Sequence, residues 1–191
     1  MKKIEVVKDM KRVKELMEFS RYRENRTEIL IWGILVTIGY VITHFLQFSF
    51  PIGIPFVWLV VSTIGIASSI SFERADRSKF GESFSFIGGR LKYIWFCVVS
   101  VGFLITYFSI GLAIFPEKFI PVFWFLVIGI GLFVQGLFLS TKWSVVGLLH
   151  ILSGGLLVFI PGILDYWALL FAIVHGGSFI IIGLTKNDKN R

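Results

Sequence analysis

Six apolar runs divide this chain, and none of them contains a lysine or an arginine: 29–48, 54–72, 93–114, 119–139, 143–160 and 164–185. A run of about 20 apolar residues is long enough to cross the hydrocarbon core of a bilayer as a helix. Helices are the expected form, because a backbone exposed to hydrocarbon must satisfy its own N–H and C=O groups. Short links make consecutive helices antiparallel neighbours. The fold class read from this pattern is an all-α membrane protein of six transmembrane helices, arranged as three repeated αα-hairpins. Composition agrees: 55% of the residues are hydrophobic and only 16% are charged, against about 25% charged in soluble domains.

The basic residues set the orientation. Lys2, Lys3, Lys8, Lys11, Arg12, Lys14, Arg21, Arg23 and Arg26 precede the first run. Arg74, Arg77, Lys79, Arg90 and Lys92 lie between the second and third, Lys142 between the fourth and fifth, and Lys186, Lys189 and Arg191 after the sixth. Of the 19 basic residues, Lys118 alone falls on the other side. Positive charge favours the cytoplasmic face, so both termini are expected in the cytoplasm and the protein in the cell membrane. The net charge of +7 then has its explanation in topology and anionic lipid rather than in nucleic acid. No nucleic-acid partner is expected; membrane lipids are. A cleavable signal peptide is not expected, because a long charged tail precedes the first apolar run.

Three regions follow: a cytoplasmic N-terminal segment, 1–27; the six-helix bundle, 28–185; and a cytoplasmic tail, 186–191. In the first, Ile4, Val7, Met10, Val13 and Met17 recur at three- and four-residue steps among charged residues. That is the pattern of an amphipathic helix. It suits the inner leaflet, a cytoplasmic protein partner or a second copy of the chain. The stretch FERADRSKFGESFSFIGGRLK, 72–92, reads as the longest loop: a solvated, topology-setting link first, and a candidate contact surface second.

A repeat runs through the bundle. Each expected helix has one tryptophan near its start: Trp32, Trp58, Trp95, Trp124, Trp143 and Trp167. Indoles are favoured at the headgroup level of either leaflet. Seven residues after four of them stand Gly39, Gly65, Gly102 and Gly131. Two helical turns put each Trp and Gly on one face, where glycine is expected to let a neighbouring helix approach closely. Eleven residues after the tryptophans of the even helices stand Ser69, Gln135 and Ser178, all polar. The second and fourth helices also share a Pro-x-x-Trp entry, at Pro55 and Pro121.

The last hairpin, WSVVGLLHILSGGLLVFIPG followed by FAIVHGGSFIIIG, resembles the short-repeat membrane proteins typified by HdeD in its Trp, Gly, Pro and Gly-rich spacing. The resemblance implies a stress-associated inner-membrane protein with no defined chemistry. The Pro-x-x-Trp entries and the basic tail depart from that family's pattern, and a separate six-helix family is the other reading.

Two histidines are the candidate site. His150 and His175 stand 12 residues before and 13 residues after Gly162, the turn of the last hairpin. At a rise of 1.5 Å per residue both lie about 18–20 Å below the outer surface, at a shared depth. Intramembrane ionisable groups are functional hypotheses by default. Cofactor ligation by a haem, a proton-sensitive switch and plain packing are the readings open to them. For haem, Gly147, Gly154, Gly176 and Gly177 argue against a wide gap between the last two helices. A metal site lacks partners, since no Asp, Glu or Cys is expected at that depth. Packing would give each imidazole a partner in the other ring, in Ser153 or Ser178, or in a backbone carbonyl. His44 is expected at the outer interface, and Gln135 to tie two helices together.

No resident cofactor, metal or catalytic residue is expected. Acids lie in tails, links or helix ends, prolines lie in or beside the outer links, and phosphate-loop and nucleophile-elbow motifs are absent. The expectation is a non-enzymatic protein with a regulatory, stress-related or accessory role through its cytoplasmic surface. A small transporter or channel for a neutral solute, lined by Ser69, Gln135, Ser178 and the histidines, is the alternative; a haem-bearing redox subunit is the second.

Overall fold

The computed structural model describes residues 26–80, 85–112, 116–160 and 162–185. Among these residues every regular element is helical. Six rods follow one another: α1, Arg26–Ser49; α2, Ile54–Phe80; α3, Ser85–Gly111; α4, Ile120–Phe138; α5, Thr141–Phe159; and α6, Ile163–Thr185. Five are long and apolar enough to cross a membrane, and α3 carries a shorter apolar stretch, Trp95–Phe108. Proline opens two of the even rods, with Pro55 and Pro121 in the first turn of α2 and α4. There its missing N–H is not needed for an intrahelical bond. The amphipathic helix expected over 1–27 lies, except for its last two residues, outside the described residues, as does the tail 186–191.

Two boundaries differ from the expectation. α2 continues to Phe80 and α3 begins at Ser85, so the expected loop 72–92 is largely helical. Its first part, FERADRSKF, is charged yet has no glycine or proline to stop a helix. Hydropathy marks where the apolar part ends and says little about where the helix ends. The sixth rod is not one regular helix. It runs as a 3-10 turn, Ile163–Tyr166, an α-helical turn, Trp167–Phe171, a π-helical segment, Ala172–Gly177, and a final α-helix, Ser178–Thr185.

Glycines decide how closely the rods approach. A side chain on Gly147 would strike the backbone of Phe133 and Gly129, and one on Gly136 would strike Ser144. These contacts bring α4 and α5 together at backbone distance across a link of two residues. Likewise Gly33 meets the backbone of Ile180, Gly176 meets Thr37 and Gly183 meets Leu30, which seats α1 on α6. α2 packs mainly on α1 and α3 on α4. The centre of the bundle is therefore α1, α4, α5 and α6, with α2 and α3 as flanks. α5 finds its closest partner in α4 rather than in α6, its expected hairpin mate.

The core falls into two clusters. One joins Val36, Tyr40, Phe125, Leu157, Ala168 and Phe171; the other joins Ile29, Leu132, Trp143, Val146 and Ile182. Outward positions are large and apolar, among them Phe45, Phe56, Phe96, Leu137, Phe159 and Ile173. A soluble monomer rarely exposes apolar patches of that extent; a lipid-facing surface requires them. Cys97 is exposed on this face as well.

Candidate functional site: an intramembrane histidine pair

Along α5 and α6 the two histidines fall between the two core clusters. Their shared depth holds: the imidazoles of His150 and His175 meet edge to face, centroids 5.0 Å apart and planes at 76°. His150 is 0% exposed and His175 9%. The walls are carbon. Phe125 and Phe171 stand 6.1 and 6.3 Å from the His150 ring. Phe179 stacks on His175 at 4.9 Å, and Tyr40 approaches it at 6.4 Å. Four rods thus supply the surroundings: α1 through Tyr40, α4 through Phe125, α5 through His150 and α6 through the rest.

The hydrogen bonding is one-sided. His150 Nδ1 lies 2.8 Å from the carbonyl oxygen of Val146, one turn back along α5. A carbonyl only accepts, so this nitrogen carries the hydrogen and Nε2 presents a lone pair. Nε2 has no partner in the protein, and neither has Nδ1 of His175. Thr106 supplies the one other such buried atom among the described residues. Native interiors pair nearly all their buried polar atoms, so two orphans on facing rings mark the place. The π segment adds to this. It holds His175 in a turn with one residue more than an α-helix has, and such turns recur at functional sites.

Two of the other intramembrane polar residues, Ser69 and Gln135, have structural partners. The indole Nε1 of Trp32 donates to Ser69 Oγ at 2.9 Å, and that of Trp95 donates to Gln135 Oε1 at 2.6 Å. Each bond joins the two rods of one hairpin. The tryptophans also use the glycines. Trp32 covers Gly65 while Trp58 covers Gly39; Trp124 covers Gly102 while Trp95 covers Gly131. These glycines admit indole rings rather than a neighbouring backbone. Ser153 is buried and Ser178 half-buried; neither brings a hydroxyl to the histidines. His44 stacks on Tyr166 at 5.7 Å, beside Gln47, whose amide donates to the Asp165 carbonyl at 2.7 Å. That set ties the C-terminal end of α1 to the N-terminal end of α6.

The glycines named against a haem act elsewhere. Gly147 and Gly154 face α4, Gly176 faces α1, and Gly177 has no neighbour within 4 Å. The geometric objection is the pair itself: rings 5.0 Å apart in edge-to-face contact leave no slab for a macrocycle between two axial ligands. Comparison with protein families, with curated proteins and with solved structures finds no match.

Proposed function

We propose that this chain is a non-enzymatic, six-span protein of the cytoplasmic membrane, with both termini in the cytoplasm. It acts in a regulatory, stress-related or accessory role through its cytoplasmic surface. Its bundle is built from hairpin units of one repeated plan. The observation that carries this reading is the engagement of Ser69 and Gln135 by indoles of their own hairpins. Polar groups that would line a conduction path serve instead to fasten α1 to α2 and α3 to α4. The matched exchange of rings and glycines in those two hairpins supports the repeat. The basic residues supply the orientation. With the embedded part acting as scaffold, the charged segments 1–27 and 72–92 remain as the surfaces able to recognise a protein partner or a second copy of the chain.

The test is in-cell photo-crosslinking of the full chain and of a variant lacking residues 2–20. The expected result is insertion of both proteins, with the cytoplasmic adducts confined to the full chain. Equal adducts from both would end the tail-mediated mechanism.

A further inference from the structure

In α1 and α3 the residue seven places after the tryptophan is a glycine that receives an indole from the hairpin partner. In α5 that residue is His150, and the ring facing it from α6 is His175. The third hairpin therefore departs from the plan of the other two where its two orphaned nitrogens lie. We propose that His150 and His175 form a two-coordinate site for a soft monovalent metal cation, Cu(I), held by Nε2 of His150 and Nδ1 of His175 between α5 and the π segment of α6.

The choice of ligand follows from the donors. Divalent zinc takes four ligands, or three with an open position. Among the described residues no group of three His, Cys, Asp or Glu gathers to supply them. A monovalent d10 ion is satisfied by two imidazole nitrogens in a near-linear array, and imidazole is a good ligand for copper. A buried water usually makes about three hydrogen bonds; here it would find two unpartnered ring nitrogens and carbon walls. A cation finds more. Phe125, Phe171, Phe179 and Tyr40 ring the pair at 4.9–6.4 Å, and aromatic faces attract positive charge most strongly where water is excluded. A single charge is also the least expensive metal charge to place among apolar helices.

The fit requires the rings to part and one of them to turn, since an edge-to-face contact aims only one ring's edge at its neighbour. With metal–nitrogen bonds of roughly 2 Å, two imidazoles sharing an ion have centroids about 6 Å apart, against 5.0 Å here. The π segment carries His175 and ends at Gly177, which has open space beside it. It is the part of α6 able to give way by that amount. Neither nitrogen has another partner in the protein.

The test is an anaerobic titration of the purified full chain in detergent, with Cu(I) delivered from a chromophoric chelator that competes for it. Wild type and Cys97→Ser are expected to withdraw one Cu(I) per chain. His150→Gln and His175→Gln are expected to bind at least tenfold more weakly, and Zn(II) is not retained. X-ray absorption of the copper-loaded protein should show two nitrogen neighbours and no sulfur. Wild type gives a reading that does not depend on how any variant folds: Cu(I) should raise its unfolding temperature. No rise, sulfur neighbours, loss of uptake in Cys97→Ser or on removal of residues 2–20, undiminished uptake in either histidine variant, or equal retention of Zn(II) would each overturn the site.

Discussion

A methyl group added to Gly176 would overlap the hydroxyl of Thr37, with the Thr37 Cα only 3.0 Å away. Backbone cannot swing aside as a side-chain tip can, so Gly176→Ala should push α1 off α6. The expected loss is about 1–3 kcal/mol, the usual cost of overpacking, measured as chemical unfolding in detergent. Gly177→Ala is the control: nothing lies within 4 Å of its new methyl, and alanine suits a helix better than glycine by roughly 1 kcal/mol. Equal losses in the two variants would remove Gly176 from the packing account. The indole bonds can be weighed in the same assay. A double-mutant cycle of Trp95→Phe with Gln135→Leu should return a coupling of roughly 0.6–1.7 kcal/mol, the range for hydrogen bonds between membrane helices. A coupling of zero would leave the 2.6 Å contact without energetic weight. At this scale the sequence was informative about depth and face. Distances from Gly162 put His150 and His175 level, and the seven-residue step put each Trp and Gly on one face. Neither shows which rod lies opposite. That Trp58 fills Gly39, or that Phe125 and Tyr40 wall the histidines, depends on contacts between distant parts of the chain.

Among the elements, α6 is the one that hydropathy described least well. Its apolar length was legible, because length and composition alone decide whether a helix can cross a bilayer. Its π segment was not, because a one-residue excess in a turn leaves no trace in apolar periodicity; here it accompanies the seating of Gly176 on Thr37. The ends of α2 and α3 were missed for a related reason: charged residues with good helix propensity prolong a helix beyond its apolar part. A π turn amounts to one inserted residue, so removing one should restore a plain α-helix without rotating the helix beyond it. Deletion of Ile173, which is exposed, is therefore expected to leave a folded, monodisperse protein. It should retain the contacts of Gly183 with Leu30 but lose the present facing of His175 and His150. Deletion of Leu152, exposed in the regular helix α5, is the contrast. It turns the rest of the rod by about 100°, carrying Ser153, Gly154 and Leu157 off the core face, and should abolish folding. Size-exclusion profiles in detergent distinguish the two. Collapse of both variants alike would mean that the π segment is indispensable to the fold rather than a local insertion.

For the molecule as a whole, the question is which way the bundle faces. Its outward apolar side chains fit lipid in either direction, since hydrocarbon does not distinguish one leaflet from the other. Direction comes from the links, and the two ends of α4 provide a paired test. Lys118 precedes α4 and lies over the ring of Phe119 at 5.1 Å, while Lys142 follows it in the first turn of α5; both are exposed. Lys118 is alone among the basic residues on its side, so the positive-inside rule places it outside and Lys142 within. With Cys97→Ser as background, Lys118→Cys should react with a membrane-impermeant maleimide on intact cells. Lys142→Cys should react only once the membrane is opened. The two sites are separated by one span, so their labelling must be opposite whatever the direction; two sites labelled alike would mean that α4 does not cross. Labelling in the reverse sense would invert the protein. It would put segments 1–27 and 72–92 outside the cell, and a partner reached through them would then have to be sought there. The histidine pair would be unaffected by that inversion, because its depth is fixed by helix rise from Gly162 and its surroundings by packing. Orientation and metal binding are thus separable, and the maleimide result bears on the first alone.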